Sequence, residues 1–549
     1  MDCQTKVLEF RDDETIKYAI LSHRWIDLRE VDYEEMVNLG KIDRQQQDEI
    51  RGRPGYKKIL GACKQAQTDG YEWIWVDTCC IDKRSSAELS EAINSMYRWY
   101  GNARVCYAYL HDVNDRKSEF GRSKWFSRGW TLQEMIAPRN LQFFDRDWQH
   151  MGDKKTLART LQGITGVPAH ILINGLEGNR PCVAQIISWA ANRTTTRVED
   201  RAYSLMGLLD VNMPMLYGEG KKAFHRLQLE IIRSSNDQSI FAWRSRSSSP
   251  QIRSIFADDP SFFEDCGDIK LQNYDEFLQK YQLSSTNADH LGVFPITNRG
   301  IQIWVPLRPY RNSSTVFQAY LPCLDANKSE VSIDLVSYES NYYRCPSRWC
   351  ASPFGWDSPV KFRQVYLRYQ DSPNQTTTFD IDDSGIIENG FTRSDVYPKN
   401  LTGNTFTVTN ANPVCVKTYS EKQGNSRFKV TFAQWLGLDW VHLVSDHFPF
   451  YELIPRIDEE VLIPKGLNWA IPIDAPSRGR LWIRHFRLPK STWVVRIYRV
   501  AWERPKVRLR LEVFQLRSSH FQNGLDEWKA YDVEVSDFLV HSVSYHDLS

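Results

Sequence analysis

The sequence predicts an α/β domain with a helical extension, followed by a mainly β region. Three observations carry that reading. Apolar runs of strand length alternate with helical stripes from residue 18 to 144, as connections between parallel strands require. Residues 153 to 235 repeat their apolar positions at helical spacing. Beyond residue 290, short β-branched and aromatic runs recur between Gly, Pro, Asn and Asp, the pattern of a sandwich or barrel. A chain of 549 residues exceeds one ordinary core. These shifts divide it into an α/β domain at 1–150, a helical extension at 151–243, a linker at 244–290 and a β-rich domain at 291–549.

Taken in order, Tyr18-Ala19-Ile20-Leu21-Ser22 reads as a buried strand that opens onto the turn Ser22-His23-Arg24-Trp25. Residues 26–53 are charged and Gln-rich, a surface insertion with some helix. Tyr56, Ile59, Leu60, Cys63 and Ala66 then follow Pro54 at helical spacing. Trp73-Ile74-Trp75-Val76 is a second strand, entered from the Asp69-Gly70 turn and ending in Asp77-Thr78-Cys79-Cys80-Ile81-Asp82. Leu89, Ile93, Met96, Tyr97 and Tyr100 form a second helical stripe closed by Gly101-Asn102, and Arg104 to Leu110 is a third strand. A polar loop leads to Trp125-Phe126-Ser127-Arg128-Gly129-Trp130-Thr131-Leu132-Gln133-Glu134, which runs into a helix that Pro138 stops; Leu141 to Phe144 is the fourth strand. This alternation specifies a parallel sheet covered on both faces, and ligands of such sheets sit beyond the carboxyl ends of the strands. Three polar clusters converge there: Ser22 to Trp25, Asp77 to Asp82, and the segment before Trp125.

Downstream, Val183, Ile186, Ile187 and Ala190, then Ala202, Tyr203, Leu205, Met206 and Leu209, then Phe224, Leu227 and Ile231, make three helical stripes. Tyr217-Gly218-Glu219-Gly220 between the last two is a glycine turn without a phosphate-loop pattern. Ser245 to Pro250 has linker composition. Strands follow at Ile301–Pro306, Val331–Val336, Val365–Tyr369, Phe406–Thr409, Phe428–Phe432, Trp493–Val500 and Val507–Phe514, with no repeat period that suggests a propeller or solenoid.

Apolar content of 42% and charged content of 25%, with 19 Trp, describe a chain folded almost throughout. A net charge of +1 gives no global argument for nucleic acid or an anionic membrane. Met1 to Asp13 is polar and no run of about 18 apolar residues occurs, so a cytoplasmic protein without a membrane span is expected. The 11 cysteines are scattered through apolar runs, which suits reduced thiols. Cys345 and Cys350 lack nearby His partners, so no metal site is expected.

Three segments, Tyr18 to Trp25, Trp73 to Asp82 and Ser127 to Glu134, together resemble the heterokaryon-incompatibility (HET) domain of filamentous fungi. Arg197-Val198-Glu199-Asp200-Arg201-Ala202-Tyr203-Ser204-Leu205-Met206-Gly207 and Tyr217-Gly218-Glu219-Gly220 look like its downstream part, so the resemblance covers about residues 1–243. The resemblance implies an allorecognition and cell-death effector. The family is similar in turn to Toll/interleukin-1 receptor (TIR) domains, implying a flavodoxin-like sheet, and some TIR domains hydrolyse NAD. Ser22-His23-Arg24 is similar to their Ser-x-Arg turn, and Trp130 followed by Glu134 to their tryptophan and catalytic glutamate. The insertion at 26–53 departs from that pattern.

On this resemblance Glu134 is the catalytic carboxylate for a substrate NAD, stabilising an oxocarbenium-like ribose. Trp130 stacks a base, Arg24 or Arg128 holds the pyrophosphate, and Ser22 and Asp77 surround the nucleotide. The plainer reading has Glu134 completing a helical turn and pairing with an arginine. Asp77 is equally a turn residue. Cys79 with His23 reads as core before it reads as a nucleophile and base. Glu199, Asp200 and Arg201 read as a helix cap with ion pairs. Two functions follow: an NAD-cleaving effector active as a homo-oligomer, or a non-enzymatic signalling scaffold that binds another copy or an unknown protein partner.

Overall fold

The computed structural model describes residues 1–26, 29–114, 119–178, 180–244, 254–281, 292–309, 316–338, 340–345, 359–369, 376–399, 401, 403–409, 414–435, 438–445, 471–472, 483–487, 493–503 and 506–515. Ser245 to Pro250, read as linker, and Cys350 lie outside the described residues. The chain divides into two compact units: residues 1–246, 255–333 and 358–369 form the first, and 247–254, 334–357 and 370–549 the second.

The first unit opens with a five-stranded sheet: β1 (Tyr18–His23), β2 (Trp73–Val76), β3 (Val105–Leu110), β4 (Leu141–Asp145) and β5 (His150–Asp153), in the order β2-β1-β3-β4-β5. β1, β2, β3 and β4 are parallel, with Leu21 opposite both Val76 and Tyr107 and Ala108 opposite Phe143. β5 corrects the expectation of a wholly parallel sheet, because it runs antiparallel to β4. The cause is local. The Asp145 carboxylate accepts the backbone N–H groups of Asp147 and Gln149, both at 2.9 Å, closing a turn too tight for a parallel crossover.

The helices that cover this sheet are α1 (Tyr33–Asn38), α2 (Arg44–Gly52), α3 (Pro54–Thr68), α4 (Ser86–Asn102) and α5 (Thr131–Ile136). α1 and α2 lie within the charged insertion, each started by an aspartate, Asp32 or Asp43, that caps a backbone N–H. Alternation along the strands decides which helix covers which face. Ala19, Leu21, Ile74, Val76 and Tyr107 pack with Ile59, Ala62, Cys63 and Ala66 of α3. Trp75 turns the other way and meets Trp99 and Tyr100 of α4 at 5.4 and 6.0 Å between ring centres. Trp125 is anchored edge-on against Phe126 and Phe143, at 5.1 and 5.6 Å, and burying such a ring contributes on the order of 5 kcal/mol. It thereby fixes the entry to α5, all six residues of which are buried.

Six further helices follow in the same unit: α6 (Ala158–Thr165), α7 (Ala169–Asn174), α8 (Val183–Ser188), α9 (Asp200–Tyr203), α10 (Met206–Leu209) and α11 (Lys222–Ser234). Their backbone joins the segment ahead of α5. Gly129 N–H donates to the Thr194 carbonyl at 2.8 Å, and Thr194 N–H to the Ser127 carbonyl at 2.7 Å. A Cβ on Gly129 would lie 2.5 Å from the Thr195 methyl, which explains the glycine in this tryptophan-rich run. Within 244–290, residues 260–266 form a 3-10 helix and Tyr274–Lys280 an α-helix. Strands Gly300–Pro309, Val316–Leu324 and Lys361–Leu367, beyond the compositional boundary at 291, also belong to the first unit and pair antiparallel.

The second unit is mainly β. One five-stranded sheet contains Thr377–Asp382, Thr405–Val408, Ile483–Arg487, Trp493–Glu503 and Lys506–Gln515; another contains Phe391–Tyr397, Val414–Glu421, Arg427–Trp435, Leu438–Ser445 and Ile471–Pro472. Phe379, Ile381, Phe406 and Val507 from the first share one core with Phe428, Val430 and Phe432 from the second. Among the described residues, no helix in the chain is long and apolar enough to cross a membrane.

Candidate active site

Two neighbours at the end of β1, Ser22 and His23, are both buried and point to opposite faces of the sheet. On the α5 face, the Trp125 indole N–H donates to Ser22 Oγ at 2.9 Å, and the Ser22 hydroxyl donates to Glu134 Oε2 at 2.5 Å. The Tyr100 hydroxyl, which donates to the Leu21 carbonyl at 3.2 Å, also faces the carboxyl. Glu134 is 5% exposed. Burial, and then the charge of Asp77, push its carboxyl up to about 7, against the Ser22 hydrogen bond, the Arg128 charge and Tyr100. Among the described residues it forms no salt bridge, so the reading in which it pairs with an arginine does not describe it. A carboxyl that titrates near neutrality can give or take a proton at physiological pH.

On the α3 face, His23 Nε2 lies 3.5 Å from Asp77 Oδ1 and 3.9 Å from Glu30 Oε2. Glu30, contributed by the insertion, also accepts from the buried Lys58 Nζ at 2.5 Å. Burial, followed by the charges of Lys58, Arg128, Lys83 and His111, holds the imidazole well below its ordinary value, so it is neutral at pH 7. Among the described residues, both ring nitrogens of His23, Glu30 Oε2, Asp77 Oδ1 and Thr78 Oγ1 are buried without a hydrogen-bond partner. Such groups are ordinarily satisfied, because each orphan costs about 1–3 kcal/mol. Beside them Trp25 is 38% exposed, and its indole donates to Asp77 Oδ2 at 2.7 Å. Lys83 Nζ stands 3.8 Å from that ring centre and the Arg128 guanidinium 5.9 Å.

Of the residues expected from sequence, Ser22 and Glu134 are therefore in direct contact. Asp77 and Arg128 act on Glu134 through charge. Arg24 acts on His111, and among the described residues neither Arg24 nor Arg128 has a salt-bridge partner. Trp130 stands at the N-terminal end of α5. Its indole faces the Asp200 carboxyl in the downstream motif. Sequence reasoning passed over Trp25 and Lys83 as site residues, although a half-exposed tryptophan in a polar strand-end turn is itself a signal. Cys79 is buried, with its thiol turned to Cys80. Among the described residues no group of three His, Cys, Asp or Glu side chains has metal-holding geometry.

The downstream motif is built differently. The Glu199 carboxylate accepts from Gly218 N–H at 2.8 Å and Gly220 N–H at 3.0 Å, so the glycine turn wraps an acid and not a phosphate. Asp200 accepts from the Tyr217 hydroxyl at 3.0 Å, and Tyr203 donates to Glu219, also at 3.0 Å. Arg201 grips Asp259 with two bonds, 2.7 and 3.1 Å, while donating to the carbonyls of Ala190, Ala191 and Arg193. Gly207 completes the hub, since a Cβ there would lie 2.2 Å from Tyr97 Cβ on α4.

Residues 18–122 match the family described as Heterokaryon incompatibility protein (HET), and residues 222–252 a domain of unknown function, DUF8212. The chain is 44% identical over 226 residues to Vegetative incompatibility protein HET-E-1 of Podospora anserina. That likeness covers 39% of this chain and 16% of the relative, so the chain spans about one sixth of the length of the curated protein it matches. Solved structures of the Xerocomus chrysenteron lectin XCL, mutated and wild-type, align at 11% and 12% identity over 26% of this chain and 99% and 100% of theirs. Their TM-score of 0.17 is too low to bear on the fold. Residues 18–122, the stretch that carries β1, β2 and β3, are thus the part of the chain that is similar to the heterokaryon incompatibility (HET) family.

Proposed function

We propose that the chain is a cytoplasmic effector of fungal heterokaryon incompatibility whose Glu134 site cleaves NAD at the nicotinamide–ribose bond when copies assemble. The observation that carries this reading is Glu134 itself: a buried carboxyl, pushed up to about 7, that among the described residues forms no salt bridge. In the reaction the glycosidic C–N bond breaks and its electron pair leaves on nicotinamide. Water adds to the ribosyl cation and releases a proton. Glu134, ionised by Asp77 moving away or by the approach of a cation, stabilises the ribosyl charge. Arg24 and Arg128 hold the pyrophosphate, Ser22 and Asp77 line the ribose, and Trp25 replaces Trp130 as the stacking surface.

A second reading, a non-enzymatic scaffold that signals by binding a protein partner, is favoured by the 5% exposure of Glu134. One experiment separates them. Purified protein at concentrations that drive assembly is incubated with NAD, and nicotinamide is quantified. Release that Glu134→Gln abolishes supports the enzyme. No release, or equal release from the variant, leaves the scaffold.

A further inference from the structure

A cavity of about 460 Å³ lies away from the strand ends, between the segment that precedes α5, the end of α6 and the end of α8. Its size is that of small-molecule sites. Two of its lining residues, Trp189 and Arg193, are each only 4% exposed, and among the described residues Trp189 Nε1 and Arg193 Nη2 have no hydrogen-bond partner. Both orphans are donors. Leaving a buried guanidinium edge and an indole N–H unmatched is costly unless an acceptor is meant to meet them. Burial pushes the Arg193 guanidinium down to about 9, against the charge of Glu134, and it is still charged at pH 7. The rim adds exposed Arg122 and Lys124, against one acid, Glu264, which accepts from Asn192 at 3.2 Å. Thr165 and Ser188 spend their hydroxyl protons on the carbonyls of Leu161 and Gln185, both at 2.7 Å, so toward the cavity they offer lone pairs to a ligand's hydroxyl groups.

We infer that this cavity is a binding site for a phosphorylated sugar, its phosphate on Arg193 and Trp189 and its hydroxyls on Thr165, Ser188 and Glu264. Lys124 and Arg122 draw the anion in. The site also reaches the catalytic candidate mechanically. Arg193 Nη1 donates to the Arg128 carbonyl at 2.9 Å and to Thr131 Oγ1 at 3.0 Å, which are the bonds that fix the start of α5 and so hold Glu134 in place. A phosphate on the free edge of the same guanidinium makes it a fixed strut between ligand and helix. The inference does not depend on NAD cleavage.

Calorimetric titration of the full chain with ribose 5-phosphate tests it, with ribose and inorganic phosphate titrated separately. Ribose 5-phosphate is expected to bind more tightly than either part. Trp189→Phe, which keeps the ring and removes the N–H, is expected to weaken binding about tenfold. Lys124→Ala, on the exposed rim, weakens it about threefold and serves if the tryptophan variant fails to fold. Nicotinamide release from NAD is read separately from ribose 5-phosphate binding, so failure of the NAD reading and failure of this one are separately visible. Absence of binding, or affinity unaltered by both Trp189→Phe and Lys124→Ala, overturns the proposal.

Discussion

Glu134 and Glu199 are both buried glutamates at the start of a short helix, and their surroundings are opposites. Glu199 is held below the usual carboxylate range by its own backbone N–H and by those of Gly220 and Gly218. Glu134 is raised to about 7 by burial and by Asp77, with one hydroxyl donor in contact. Around Glu199 the polar groups are bonded to one another; around the strand ends, ring nitrogens and carboxylate oxygens are left over among the described residues. The difference separates architecture from chemistry. A motif that satisfies its own polar groups has nothing left to offer a substrate, whereas a motif that leaves them unmatched bears a folding cost that selection must find worthwhile.

The contrast predicts opposite responses to the same substitution. The largest expected effect is that of Glu134→Gln, which should stabilise the protein at pH 8 by roughly 3 kcal/mol and leave it unchanged at pH 4. The sign follows from a folded-state value above the unfolded 4.5: stability is fully present below about 4.5 and is lost as pH rises through about 7. Urea denaturation of parent and variant across pH measures it, and a pH-independent difference would break the comparison. Ser22→Ala comes next, at a cost of about 2 kcal/mol, because it strips a donor from Glu134 and leaves the Trp125 indole unpaired. Its denaturation profile should show the midpoint of the Glu134 titration moved further up.

Glu199→Gln should destabilise by about 1 kcal/mol at pH 7, since the amide oxygen still accepts but without charge. Here the folded value is depressed, so the loss is present above the unfolded 4.5 and vanishes as pH falls through the folded value. Finding that Glu199→Gln stabilises at pH 7 would erase the distinction between the two sites. The smallest effect on folding is that of Trp25→Phe, under about 1 kcal/mol, from the loss of one indole hydrogen bond to Asp77 at a half-exposed position. Its effect on nicotinamide release should be the larger one, read as a raised KM for NAD.

Much of the site was legible because period-two strands and the α/β rule bring strand ends together whatever their separation in sequence. Ser22 and Glu134 meet across 112 positions for that reason. The same period already requires Ser22 and His23 to face opposite sides, so Asp77 reaches Glu134 through charge and not through direct contact. Helical spacing sets Trp130 on the face of Glu134, whereas its contact with Asp200 is fixed by tertiary packing. β5 escaped notice because His150–Asp153 is short, polar and largely exposed, and its pairing is decided by the Asp145 turn. Strands beyond 290 were visible as strands, but their allotment to two compact units depends on contacts that no local pattern carries.

The pair of backbone bonds between Ser127–Gly129 and Thr194 bears on how this domain can be moved. Through it the segment ahead of α5 leans on Thr194, well past the end of the sheet, and Arg201 ties the carbonyl of the preceding Arg193 to Asp259. A fragment cut at residue 150 would retain β1 to β4 and still lose the brace of its catalytic candidate. The portable unit, for grafting or for shuffling between proteins, therefore extends to about residue 260, and its edge is set by the support of one helix.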